Sequence, residues 1–135
     1  MDALVKSIKH HEGVRLLPYL DTAGKITIGW GRCLSTKGIS MKEAEALLAA
    51  DIADAIDDFY KLPIAVIRNC NVARRRVVCE MLYNLGLGGV MKFKKMLSAI
   101  EQKDFDLAAD EMLSSLWAKQ VGIRAQLMAQ TMREG

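Results

Sequence analysis

Apolar positions along the chain change period several times, and each change marks an element. In residues 2–12, Leu4, Val5 and Ile8 recur at helical spacing, and Glu12 and Gly13 end the segment with a stop glycine. From residue 15 to 33 the period falls to two. "RLLPYLD", "TAG" and "KITIGWG" read as strand, turn and strand, with Ile26 and Ile28 on one face and Thr27 on the other. Pro18 confines the first strand to a sheet edge. A strong helix begins at Ser40, where "SMKE" is a capping box with Glu43 at the third helical position. Its apolar stripe runs through Ala44, Leu47, Leu48, Ile52, Ala55, Ile56 and Phe59 and stops before "KLP", because Pro63 disfavours further helix. Twenty residues of helix make a rod of roughly 30 Å. Asn71 can cap a helix from Val72 to Leu85, with Gly86 as its stop. Val77, Val78, Cys79, Met81, Leu82 and Leu85 make that helix apolar nearly all round, which places it mid-core. Shorter helices are expected over about 92–102, 105–114 (capped by Asp104) and 123–133.

Composition narrows the class. At 135 residues, with 51% hydrophobic and 26% charged, the chain fits one domain with a real core. Aromatics are only 6%, so the core leans on aliphatic residues and eight Met. Residues 1–67 carry 8 basic and 9 acidic residues, and residues 68–135 carry 11 and 7. A mildly basic second half suits an anionic polymer such as cell wall or nucleic acid, or a membrane surface. Cys33, Cys70 and Cys79 lack paired spacing and read as reduced thiols, which suits synthesis in a reducing cytoplasm. "MDALVKSIKHH" has no apolar core of the kind a signal peptide needs, and no run is long enough to span a bilayer. An extracellular target would then require another agent for delivery.

Three polar residues surround the expected hairpin. Glu12 lies at a helix C-terminus, facing the negative pole of the helix dipole, a setting that favours the protonated form a general acid uses. Asp21 opens the "DTAG" turn, and Thr27 occupies the polar face of the second strand. Each has a plain alternative: a solvated helix-end carboxylate, an Asx-type turn residue and a β-forming threonine. Together they converge on one small space, and two carboxyls flanking a cleft are the minimum equipment for glycoside hydrolysis. A hydroxyl nearby could hold a water.

"EGVRLLPYLDTAGKITIGWG" resembles the active-site segment of T4-type phage lysozymes, glycoside hydrolase family 24. The family pattern is Glu, eight residues, Asp, five residues, Thr, met here without a gap by Glu12, Asp21 and Thr27. The likeness continues in "GISMKEAEALLAADI", "RRRVVCEMLYNLG", "FDLAADEM" and "WAKQVGIRA". It implies an α+β lysozyme-like fold: a small β-hairpin lobe (about 13–39), a linking helix (about 40–60) and a larger helical lobe (about 61–135 plus the N-terminal helix), with glycan bound in the cleft between lobes. It implies a muramidase that cleaves the β-1,4 bond between N-acetylmuramic acid and N-acetylglucosamine. Glu12 would be the proton donor, and Asp21 with Thr27 would position the water for single displacement. Tyr83 and Asn84 match saccharide-binding positions, and Arg124 matches an arginine that approaches the catalytic glutamate.

One position departs from the family. The family relative pairs the aspartate matching Asp51 with a histidine, and this chain has Arg32 there. Asp51 lies within the apolar stripe of the long helix and would need a partner if buried. The expectation is an Arg32–Asp51 ion pair. The loop "CLSTKG" is also short. Arg74, Arg75 and Arg76 open a helix at the wrong pole for cations and read as solvated or locally paired, with wall polymer or nucleic acid as the alternative. Trp30 and Trp117 read as core. His10 and His11 have no metal-ligand spacing, so neither metal nor cofactor is expected. The expected role is a monomeric endolysin made in the host bacterial cytoplasm, released by a holin to act on peptidoglycan in the periplasm or wall, with no nucleic-acid partner and no stable membrane insertion. Two rivals remain: a wall-binding protein that has lost activity, and membrane disruption by the amphipathic segment 117–133.

Overall fold

The computed structural model describes residues 1–135, and its elements follow the sequence pattern closely. In order they are α1 (Asp2–Glu12), β1 (Arg15–Leu20), β2 (Ile26–Gly29), β3 (Arg32–Cys33), α2 (Leu34–Lys37), α3 (Met41–Phe59), α4 (Ile64–Asn69), α5 (Val72–Met91), α6 (Lys94–Glu101), α7 (Phe105–Leu113), α8 (Leu116–Val121) and α9 (Ile123–Glu134). This is the expected α+β class. The chain forms two compact units, Met1–Leu47 and Leu48–Gly135.

The first unit is built on an antiparallel sheet in the order β1-β2-β3. Gly13, at φ 66, ends α1 with its N–H on the Lys9 carbonyl at 3.1 Å. β1 lies at the sheet edge, and its register shifts between Arg15 and Tyr19, the interval that contains Pro18. A proline cannot donate to the ladder, so a bulge at an edge accommodates it. Thr27, in the central strand, pairs with Tyr19 on one side and Cys33 on the other. In this unit two elements escaped the sequence pattern. β3 has two residues and α2 has four, too short to show a period. α2 still matters, because the Ser35 hydroxyl accepts the Ile26 N–H at 3.0 Å.

α3 starts as its capping box predicts: the Ser40 N–H donates to Glu43 at 2.9 Å, and the Glu43 N–H donates to the Ser40 hydroxyl at 3.1 Å. Pro63 does end the helical run, and it also serves as N-cap of α4, which the sequence reading omitted. A proline suits that place because the first N–H groups of a helix have no intrahelical partner. Of the expected apolar stripe on α3, Ala55 and Phe59 are buried, whereas Leu47, Leu48, Ile52 and Ile56 are exposed.

In the second unit, Asn71 caps α5 through the Arg74 N–H at 2.9 Å. Gly86 interrupts α5 at φ 72, ψ 172, where a stop was expected, and helix then resumes as far as Met91. Val77, Val78, Met81 and Leu82 of α5 are buried, as an all-round apolar helix requires. Met96, Ile100, Met112 and Met132 come to the same core from α6, α7 and α9. Asn69 fastens α4 to the end of α6, donating to the carbonyls of Ile100 and Glu101 at 3.0 Å each. On α9, Ala125, Met128, Ala129 and Met132 are buried, so the apolar face of that segment is spent on the core. No helix is long and apolar enough to cross a membrane.

Candidate active site

Asp21 and Thr27 are joined through one residue, Lys25. The Asp21 carboxylate accepts the Lys25 N–H at 2.8 Å and the Ala23 N–H at 2.9 Å, both on Oδ1. The Lys25 carbonyl in turn accepts the Asp21 N–H at 2.9 Å and the Thr27 hydroxyl at 3.0 Å. This is an Asx-type turn, so the structural reading of Asp21 is correct, and it leaves a chemical reading open as well. Oδ2 takes no hydrogen bond from the protein. The Thr27 hydroxyl proton is committed to Lys25, so its lone pairs are what it can offer. Thr27 is also the one buried polar residue of the chain, at 3% exposure, and a hydroxyl so placed is fixed in direction.

Glu12, the last residue of α1, lies at the other end of the sheet. A Cβ placed on Gly31 would stand 2.9 Å from Glu12 Oε2, so the carboxylate rests against the turn between β2 and β3. Asp21 belongs to the turn between β1 and β2. The two carboxyls therefore lie by turns at opposite ends of β2, and Thr27 belongs to the strand between those turns.

Two expectations about neighbouring residues are corrected. Arg32 pairs with Glu43, at 2.7 and 2.6 Å, and also donates to the Gly38 carbonyl at 3.3 Å. It does not pair with Asp51, which is exposed and needs no partner. Glu43 is in the first turn of α3, and Asp51 is about 12 Å farther along the rod at 1.5 Å per residue. Trp30 is not core: it is 45% exposed, with the Lys9 ammonium 4.5 Å from its ring centroid. Trp117 is buried as expected, edge-on to Phe93.

The Trp117 Nε1–H donates to Asn84 Oδ1 at 3.1 Å, and the amide NH2 of this exposed residue takes no protein partner. Tyr83, beside it on α5, is exposed and lines a groove of about 800 Å³ in the second unit. Arg124, Arg75 and Arg76 also line that groove, over an apolar floor that includes Leu48 and Ile52. Arg74 does not join them. It stacks on Phe105, 3.4 Å from the ring centroid, and caps α9 through the Met132 and Arg133 carbonyls. No three His, Cys, Asp or Glu side chains are grouped to hold a metal ion. Sequence reasoning missed the backbone of Lys25 and the bare α-carbon of Gly31, because neither acts through a side chain.

The family model described as phage lysozyme matches residues 9–134. A probable T4-type lysozyme of Dictyostelium discoideum is 26% identical, covering 95% of this chain and 92% of its own length. The endolysin of Salmonella phage P22 is 27% identical over 85% of this chain and 80% of its own. The pre-baseplate central spike protein Gp5 of phage T4 is 28% identical over 91% of this chain, which spans only 26% of that protein.

Proposed function

Since the chain belongs to the phage lysozyme family and is a glycoside hydrolase that acts on peptidoglycan, we propose that Glu12 is its general acid and that Asp21 and Thr27 hold the attacking water. The observation that carries this is the Lys25 peptide linkage. A water can donate one hydrogen to Asp21 Oδ2 and the other to Thr27 Oγ1. Both of its protons are then engaged and a lone pair is left for the anomeric carbon. Glu12 gives its proton to the glycosidic oxygen as the bond to the leaving N-acetylglucosamine breaks. The water attacks the opposite face of the N-acetylmuramic ring, and its proton passes to Asp21. Carboxyls set by opposite ends of β2, rather than side by side, leave room for that water, which favours single displacement with inversion over a covalent intermediate. Tyr83 offers a stacking face for sugar, and the unpartnered NH2 of Asn84 offers a hydrogen-bond donor to it.

Digestion of purified peptidoglycan with mass analysis of the new ends tests the reaction. Reducing N-acetylmuramic ends are expected, and anhydro ends would assign a lytic transglycosylase instead. Glu12→Gln and Asp21→Asn should each lower turnover by at least about 100-fold. Turbidity loss equal to that of the unaltered enzyme would instead mark a wall-binding protein. The biological role proposed is that of a monomeric endolysin, made in the host bacterial cytoplasm and released to the periplasm or wall by a holin. Expression in a bacterial host should lyse cells only when a holin is co-expressed, and lysis without one would remove that dependence.

A further inference from the structure

We infer that Gly31 is a positioning residue for Glu12: its bare α-carbon is the seat of the carboxyl, and any side chain there displaces the proton donor. The inference rests on the reading of Glu12 as the acid and deepens it. A Cβ at Gly31 would stand 2.9 Å from Glu12 Oε2, 3.3 Å from Cδ and 3.8 Å from Cγ. Ordinary carbon contacts lie at about 3.5–4.0 Å, so the carboxyl would have to retreat by roughly 0.5–1 Å. The end of a glutamate side chain is flexible and yields before the backbone does. The cost therefore falls on catalytic geometry, where a proton donor must lie within about 2.6–3.2 Å of its acceptor.

Backbone conformation alone does not account for this glycine. Gly13, Gly24, Gly29 and Gly38 in the same unit also have positive φ, and a Cβ at any of them would meet nothing within 4 Å. At Gly31, with φ +81, the missing side chain is needed for space as well. The turn is also held to the helix that carries the acid. Trp30, the residue before Gly31, lies under the ammonium of Lys9, three residues before Glu12 on α1. Helix end and turn thus meet at two points, a cation over a ring and a carboxylate over a bare α-carbon.

The test compares Gly31→Ala and Gly31→Asn with Gly38→Ala, which carries similar φ strain but whose Cβ would meet no atom within 4 Å. Asparagine tolerates positive φ better than alanine and still supplies the Cβ, so Gly31→Asn keeps the test valid if Gly31→Ala folds poorly. Both Gly31 variants should lose about 10- to 100-fold in kcat on peptidoglycan, with KM within about twofold. Gly38→Ala should keep its kcat at any temperature where it is folded. The loss at Gly31 should shrink on a nitrophenyl β-glycoside of a chitooligosaccharide, whose leaving group departs without a proton. Gly31 variants that match Gly38→Ala in kcat, or that lose equally on both substrates, overturn the inference. Glu12→Gln with unchanged kcat would instead remove the reading of Glu12, and the inference with it.

Discussion

The guanidinium of Arg32 grips both carboxylate oxygens of Glu43, at 2.7 and 2.6 Å, while Glu43 also accepts the Ser40 N–H that opens α3. One carboxylate thus serves as capping box and as anchor for β3. The Arg32 hydrogen bond, backed by Ser40, lowers the Glu43 carboxyl to about 2. A carboxyl held below its unfolded value stabilises the fold at higher pH, and that stability is lost as pH falls through the folded value. Arg32→Ala should therefore melt below the unaltered protein at neutral pH, with the gap narrowing below about pH 4 and closing near pH 2. Arg32→Lys should recover only part of the gap, because an ammonium cannot make the paired contact. Melting curves across that range check it, and a gap that is the same at pH 2 as at pH 7 is the contrary result.

Asp51 supplies the matching control. It is exposed and makes no ion pair, so Asp51→Ala should change stability by no more than about 0.5 kcal/mol in denaturant melts. A loss of about 3 kcal/mol would restore the buried ion pair that the sequence suggested.

Arg74 should be the structural member of its arginine run. Its Nε–H donates to the Met132 carbonyl at 2.7 Å and its ring partner is Phe105, so it satisfies helix-end carbonyls that otherwise lack partners. Arg74→Ala should cost about 1–3 kcal/mol, whereas Arg76→Ala, at an exposed position, should cost under about 0.5 kcal/mol. Equilibrium unfolding in urea separates the two.

Met81 is fully buried on α5, within the core built by α6, α7 and α9. Met81→Ala should destabilise the second unit by about 2–5 kcal/mol, because the lost contacts leave a cavity that the surrounding helices fill only in part. Met81→Leu, which keeps the volume, should cost less than about 1.5 kcal/mol.

The three thiols should differ in reactivity. A hydrogen bond with Thr36 lowers the Cys33 thiol, while burial raises Cys79 and pushes Cys70 up to about 11. The thiolate is the nucleophile, so brief alkylation near neutral pH should mark Cys33 first and Cys70 last, as read by peptide mass mapping. Uniform labelling of all three is the contrary outcome.

What the sequence determined by itself is local. The capping box at Ser40, the caps at Asn71 and Asp104, the stop at Gly13 and the break at Gly86 all depend on residues within about four positions of one another. The 3.6- and 2-residue periods located α1, β1, β2, α3 and α5 for the same reason, and the shorter helices α6, α7 and α9 were expected close to where they lie. The Glu12, Asp21 and Thr27 spacing was legible too, because all three residues belong to one helix–hairpin segment. β3, α2, α4 and α8 were not, since two to six residues carry no usable period.

Tertiary structure decided which groups meet. A charge in an apolar stripe pointed Arg32 toward Asp51, but strand register brings β3 to the first turn of α3, and Glu43 is there. Trp30 looked like core by type, yet it belongs to a two-glycine turn and stays 45% exposed beside Lys9. The Lys25 peptide joins Asp21 to Thr27 through groups that every residue type possesses, so no reading of side chains could single it out. Gly31 acts by the space it leaves beside Glu12, and that space exists only once helix and hairpin have come together.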